Sequence, residues 1–167
     1  MAKTADNLKA AFAGESQASA RYLAFARRAE REGHPQVAKL FRAAAMAETV
    51  HARNHLETME GVQSTQDNLR VAVAGENMEH MQMYPEFIEQ ANKEGATRAV
   101  RTFEWARSVE MIHESLYKSA LDALEGGGEP QVEEYFVCQV CGFTAEDDVP
   151  EKCPVCGAPR AQFLKVD

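Results

Sequence analysis

Apolar and small residues recur at steps of three and four along four long stretches of this chain, with charged residues between them. Leu8, Phe12, Glu15, Ser19, Tyr22 and Ala26 mark the first stripe and predict an amphipathic helix over residues 6–32. Gly33-His34-Pro35 stops that helix and opens a second over 35–60, with Val37, Leu40, Phe41, Ala44, Glu48, His51 and His55 on its inward face. Small residues crowd the second helix (Ala43, Ala44, Ala45 and Ala47) and would let a neighbour approach closely. Gly61 ends it, and Ser64 with Asp67 offers a cap for a third helix over 68–94. There Glu76, Glu79, Met83 and Phe87 share one side, and Pro85 predicts a kink just beyond Glu79. Gly95 closes it. A fourth helix follows over 97–125, with Phe103, Ala106, Glu110, His113, Tyr117, Ala120 and Leu124 on its seam. Beyond Gly126-Gly127-Gly128-Glu129-Pro130 the periodicity is lost. The tail is turn-rich, and Tyr135-Phe136-Val137 reads as a strand. Domain limits of 1–128 and 129–167 follow.

The helical part repeats. Ala-Phe-Ala-Gly-Glu15 matches Ala-Val-Ala-Gly-Glu76 at an offset of 61, and Glu32-Gly33 matches Glu94-Gly95 at 62. Glu48-x-x-His51 matches Glu110-x-x-His113, again at 62. Two duplicated helical hairpins would pack about a pseudo-two-fold axis. Glu79 breaks the symmetry, because the counterpart region near Ala18 offers no ligand.

The interior carboxylates change the picture from a plain bundle to a chemical one. Residues i and i+3 of a helix share a face, so each Glu-x-x-His presents a carboxylate and an imidazole to the same point. One such motif alone would be an ordinary surface pair. Two of them, with Glu15 and Glu76 each on a further helix, make the ligand set of a carboxylate-bridged di-metal site within a four-helix bundle. An unpaired carboxylate in an apolar stripe is costly, so Glu15 calls for a cation. In the tail, Cys138-x-x-Cys141-Gly142 and Cys153-Pro154-x-Cys156-Gly157 are two knuckles able to close a tetrahedral thiolate site. A segment this small needs such a metal to fold. The ligands alone do not separate iron from zinc. A one-electron iron site tethered to a di-metal carboxylate site would be an electron supply, whereas a zinc ribbon there would have no evident task.

The totals restrict partners. A net charge of −8 over 167 residues argues against nucleic acid. No apolar run approaches the roughly 20 residues of a membrane span, and the first residues carry no apolar signal core. All four cysteines lie between 138 and 156, which is metal-site usage in a reducing compartment. The expectation is a cytoplasmic protein.

These residues resemble the rubrerythrins over nearly the whole chain. The resemblance rests on Ala13-Gly14-Glu15-Ser16, Ala47-Glu48-x-x-His51, Gly75-Glu76-x-x-Glu79, Met83-Tyr84-Pro85-Glu86, Glu110-x-x-His113-Glu114 and both cysteine knuckles. It implies an all-α, ferritin-like four-helix bundle followed by a small β-rich rubredoxin-like domain. It implies two irons held by Glu15, Glu48, His51, Glu76, Glu79, Glu110 and His113, with Glu48 and Glu110 as bridges. It implies a third iron on Cys138, Cys141, Cys153 and Cys156, a position zinc can occupy in a heterologous preparation. The implied activity is that of a peroxidase reducing hydrogen peroxide to water. Its electrons would come from NAD(P)H through a reductase or a rubredoxin and the thiolate-bound iron. Glu79 would be the mobile ligand and His51 the one that exchanges with it. Tyr22 and Tyr84 are candidates to give hydrogen bonds or protons to the bound oxygen species, with core packing as the alternative for both. A ferroxidase or iron-handling protein is the competing enzyme, and a non-enzymatic zinc-ribbon module the competing class. His34 reads as solvated, His55 as able to stand behind His51, and His80 as a surface or interface residue. Met78, Met81 and Met83 read as packing.

The connection around Gly61–Asp67 bears on assembly. In the ferritin-like arrangement the second and third helices run parallel, and so short a link cannot return along the bundle. The expectation is a homodimer in which hairpins are swapped. A monomer with the third helix folded back is the alternative.

Overall fold

The computed structural model describes residues 2–166. Met1 and Asp167, the outer limits of the two expected domains, lie outside the described residues. The chain is mostly helical and forms two compact units divided between Gln63 and Ser64. The expected fold class holds in its elements: long helices followed by a small antiparallel sheet at the C-terminal end.

The first unit is a hairpin of α1 (Ala2–Arg31) and α2 (Pro35–Thr58). α1 begins earlier than the stripe suggested, because Lys3, Thr4 and Ala5 carry no stop signal. Its end follows the expected chemistry. Gly33 takes φ +81°, Gly33 N–H donates to the Glu30 carbonyl, and His34 N–H to that of Ala29. The helices meet along alanines: Ala18, Ala26 and Ala29 on α1, and Ala38, Ala45 and Ala52 at seven-residue steps on α2. Such small side chains let the Ser19 hydroxyl donate to the Ala45 carbonyl across the hairpin at 3.1 Å. This corrects the expected inward face of α2. Leu40 stays 68% exposed and Val37 is largely exposed, while the alanine stripe is buried. The helix has two apolar faces, and only the small one closes against α1. The exit from α2 differs too. Glu60, not Gly61, takes the left-handed conformation, at φ 56°. Gly61 serves a different need: a Cβ there would run into the Leu56 side chain and crowd the Leu56 carbonyl at 3.2 Å.

The second unit opens with α3 (Thr65–Met78), capped as expected by Ser64 Oγ accepting from Asp67 N–H. A π-helical turn (Glu79–Met83) follows, then α4 (Tyr84–Lys93), with Pro85 in its first turn. The expected break beyond Glu79 is therefore this wide turn, and Pro85 sits where its missing N–H costs least. α5 (Thr97–Glu125) matches the expected span. The sheet has the order β2 (Thr144–Glu146), β1 (Tyr135–Cys138), β3 (Phe163–Lys165). Val137 pairs with Thr144 on one side and Leu164 on the other.

The duplication is legible in three dimensions. Tyr22, Phe25 and Phe41 form a triangle of rings with centroids 6.2, 6.2 and 5.5 Å apart. Tyr84, Phe87 and Phe103, each 62 residues later, form the same triangle at 6.3, 6.2 and 5.6 Å. The glycine stops repeat as well: Gly95 takes φ +67°, and Ala96 N–H donates to the Ala91 carbonyl as His34 N–H does to Ala29.

Candidate metal centres

Each hairpin brings together one triad of ligand-type side chains. In the first, Glu15 on α1 meets Glu48 and His51 on α2, with one donor atom from each within 4.8 Å of the others. In the second, Glu76 on α3 meets Glu110 and His113 on α5 within the same limit. The helical i,i+3 spacing acts as expected. His51 Nδ1 lies 3.0 Å from Glu48 Oε2, and His113 Nδ1 lies 2.8 Å from Glu110 Oε2. Glu76 Oε1 is 3.9 Å from His113 Nδ1. Both triads therefore pair the same nitrogen with the same carboxylate oxygen, in keeping with the internal repeat.

The second triad is electrostatically crowded. Burial pushes the Glu76 carboxyl above its ordinary pKa, and the Glu110 charge adds to the effect. The same two causes raise Glu79, which stands beside the triad and outside its tightest grouping. Hydrogen bonding to Glu110 raises His113, against the opposing pull of burial. His113 offsets only part of the repulsion among these half-buried carboxylates, and a divalent cation would supply the further counter-charge. Tyr84 also faces the carboxylates. Burial and then the charges of Glu110, Glu79 and Glu76 raise its phenol. Tyr22 shares the matching aromatic triangle in the first hairpin.

The four cysteines converge as their spacing predicted, with their sulfurs within 4.8 Å of one another. Cys138 Sγ lies 3.7 Å from Cys156 Sγ, and Cys141 Sγ 3.5 Å from Cys153 Sγ. The two knuckles have one backbone design. Gly142 N–H donates to the Cys138 carbonyl and Gly157 N–H to that of Cys153, both at 2.9 Å and both with the glycine in the left-handed region. Burial pushes the Cys141 and Cys156 thiols up. Burial opposes the Cys153 thiolate as well, but amides of Cys156 and Val155 outweigh it and hold that pKa down. Crowded thiols that disagree in this way fit a shared metal, which deprotonates all of them.

Sequence reasoning did not anticipate two features. Thr144 on β2 places Oγ1 3.0 Å from His113 Nε2, and the Gly142 backbone in the first knuckle favours the charged form of the same imidazole. No spacing rule links a residue of the tail to one on α5. His80 is the correction. Expected at the surface or an interface, it is 6% exposed within the chain, and its Nε2 lies 2.7 Å from Glu114 Oε2. The wide turn rotates it inward, which a regular helix would not do. His34 is exposed as expected, and His55 is half-buried one turn beyond His51.

The comparisons agree with this chemistry. The rubrerythrin family model matches residues 6–121, and the model of the rubrerythrin rubredoxin-like domain matches 136–164. The chain is 36% identical to rubrerythrin-2 of Clostridium acetobutylicum over 97% of its own length and 96% of that protein. It is 37% identical to a rubrerythrin of Porphyromonas gingivalis, covering 96% of this chain and 88% of the relative. Nigerythrin of Nitratidesulfovibrio vulgaris is 34% identical, with 96% and 85% covered. Nigerythrin solved in a mixed-valence state superposes with a TM-score of 0.57 at 35% identity, covering 98% of this chain and 86% of that one. A fully reduced, all-ferrous nigerythrin gives the same score at 34% identity. Two helical hairpins that each carry a Glu, Glu, His triad, followed by a four-cysteine knuckle pair, thus meet a family match over almost the whole length, and the chain belongs to the rubrerythrin family.

Proposed function

We propose that this chain is a non-haem di-iron peroxidase that reduces hydrogen peroxide to water. Its electrons would come from NAD(P)H through a reductase or a rubredoxin and then the iron of the four-cysteine site. The observation that carries the reading is the contact of Thr144 Oγ1 with His113 Nε2 at 3.0 Å. Thr144 lies two residues beyond Gly142, which follows Cys141 directly. His113 Nδ1 faces Glu110 and its Nε2 faces the knuckle, so one imidazole joins the thiolate site to the carboxylate site. A ferroxidase takes electrons from the iron it oxidises and has no use for such a link.

Glu48 and Glu110 are the proposed bridging carboxylates, and Glu15, Glu76, Glu79, His51 and His113 the remaining ligands. Iron bound there supplies two electrons, so that hydrogen peroxide with two protons yields two waters. Carboxylates suit the task because they hold either oxidation state and shift between bridging and terminal binding. Glu79, which stands outside the tightest grouping, is the proposed ligand whose carboxylate shifts, and His51, exposed at the rim of its triad, is its proposed exchange partner. Tyr84, whose phenol burial and three carboxylates push above its ordinary pKa, is the proposed donor of a hydrogen bond or proton to the bound oxygen species. Tyr22 is the matching donor from the first hairpin.

The proposed assembly is a hairpin-swapped homodimer. α2 has 24 residues and is about 36 Å long. The link 59–64 spans at most about 21 Å when extended. Parallel α2 and α3 in one bundle would need a return along that whole length. A second copy supplies the missing hairpin without one.

Anaerobic mixing of the ferrous protein with hydrogen peroxide tests the activity. One equivalent should oxidise the di-iron site, and the red thiolate-iron band should follow. Sustained NADH oxidation should appear when a reductase is added. Consumption of free Fe(II) and oxygen with growth of ferric mineral, and no peroxide turnover, would establish the ferroxidase instead.

A further inference from the structure

The two hairpins should be interchangeable if duplication were the whole account, and at one place they are not. Glu15 and Glu76 are related by 61 residues, whereas Tyr22 and Tyr84 are related by 62. One residue has been inserted between Glu76 and Tyr84, and the π-helical turn Glu79–Met83 occupies that place. Glu79 lies at its start. The carboxylate without a counterpart in the first hairpin is therefore delivered by the inserted turn.

A wide turn inside a helix leaves backbone groups to be satisfied and a bend to be held. The second hairpin does both with polar side chains at places where the first has methyl groups. Glu114 matches Ala52 and Arg107 matches Ala45, each at 62 residues, and both alanines are buried. Arg107 Nε donates to the His80 carbonyl at 3.0 Å. Glu114, 8% exposed, lies 2.7 Å from His80 Nε2 and accepts from Asn77 Nδ2 at 2.9 Å and Lys118 Nζ at 2.7 Å. Asn77 and His80 flank the start of the turn on either side of Glu79. Glu114 holds both from α5, one residue beyond His113.

We propose that His80 is a positioning residue: bound to Glu114, it locks the inserted turn so that the adjacent Glu79 carboxylate faces the metal site. The proposal rests on the reading of Glu79 as a metal ligand. Among the described residues, the first hairpin packs without a buried ion pair, so packing alone does not call for one. Buried polar partners that orient ligands typically change metal affinity by about 10–100-fold.

The test is a cobalt(II) titration of the full chain with its cysteine site already filled by zinc, followed by the visible d–d bands. Glu79→Gln, His80→Ala and the double variant are compared with the parent. Glu79→Gln should weaken binding of one cobalt and alter its bands. His80→Ala should reproduce both changes, at about 10–100-fold in affinity, and the double variant should be no worse than Glu79→Gln alone. His80→Gln, which still reaches Glu114, should restore parental binding. If His80→Ala loses its helical circular dichroism, His80→Asn replaces it in the same cycle, because its shorter side chain does not reach. Parental binding by the folded His80 variant, or losses that add in the double variant, would overturn the positioning role. Parental binding by Glu79→Gln would instead overturn the ligand assignment beneath it.

Discussion

Glu114 is a carboxylate where the first hairpin keeps the methyl group of Ala52. Hydrogen bonds from Lys118, His80 and Asn77 overcome its burial and hold its pKa at about 2, below the ordinary 4.5. A depressed carboxylate contributes stability that is complete above its unfolded pKa and is lost as pH falls through its folded one. The thermal midpoint of the parent should therefore fall between about pH 4.5 and about pH 2 more steeply than that of Glu114→Gln. Parallel curves from differential scanning calorimetry would show that Glu114 contributes nothing. A second expectation concerns Glu76 and Glu79, whose pKa values are raised by burial and by Glu110. Metal binding must expel their protons, so affinity should climb with pH above the normal carboxylate range, with proton release measurable in weakly buffered titrations. Thr144→Val should slow electron passage from the thiolate iron to the di-iron site and leave the thiolate spectrum unchanged. An unaltered rate in stopped-flow would remove the link from the path.

The sheet and its knuckles are one element-sized unit that its own core does not hold. Buried residues there are chiefly Cys138, Cys153 and Ala158, with Phe143 and Phe163 packed against them. Chelating its metal should abolish the tail's tertiary signals and release the Cys thiols to a thiol reagent, while helical circular dichroism stays near its starting value. A tail that keeps slow thiol reactivity after metal removal would show that the sheet stands unaided. The helices have the opposite character. The alanine seam of α1 and α2, with Ser19 and Thr49 hydrogen-bonded at 2.9 Å across it, is built from residues other than the metal ligands. Truncation after Glu125 should accordingly leave a helical chain that binds two metals and is oxidised by peroxide once, with turnover from NAD(P)H lost.

At the scale of the whole molecule, the described residues carry two triads of ligand type, one on each hairpin. Large apolar side chains remain open on both units: Leu40 and Met46 on the first, Val71, Met78 and Met111 on the second. In the proposed swapped homodimer, a second copy would cover them. If Glu48 and Glu110 bridge, either one replaced by Ala should cost both metals, whereas His51→Ala should spare at least one. If hairpins are swapped, co-refolding Glu48→Ala protein with Glu110→Ala protein should regenerate one intact two-metal site per heterodimer, read by metal analysis of the isolated dimer. A monomer by sedimentation that still carries both metals would eliminate the swap.

The sequence by itself determined whatever depends on neighbours along the chain. Helical periodicity placed α5 at both ends, and the Glu-x-x-His spacing set each Nδ1-to-carboxylate pair. The cysteine spacing determined the thiolate site, because two tight turns with glycines leave the four sulfurs little choice. Tertiary structure decided what spacing cannot express. Which apolar face of α2 closes against α1 was a contest between large and small residues, and alanines won because they allow the closest approach. The inward turn of His80 followed from one extra residue, which the shift from 61 to 62 had recorded without saying which way the helix would widen. The contact of Thr144 with His113 joins residues 31 apart in sequence across a change of secondary structure. No local rule reaches that far, since only the packing of the tail on α5 sets the distance.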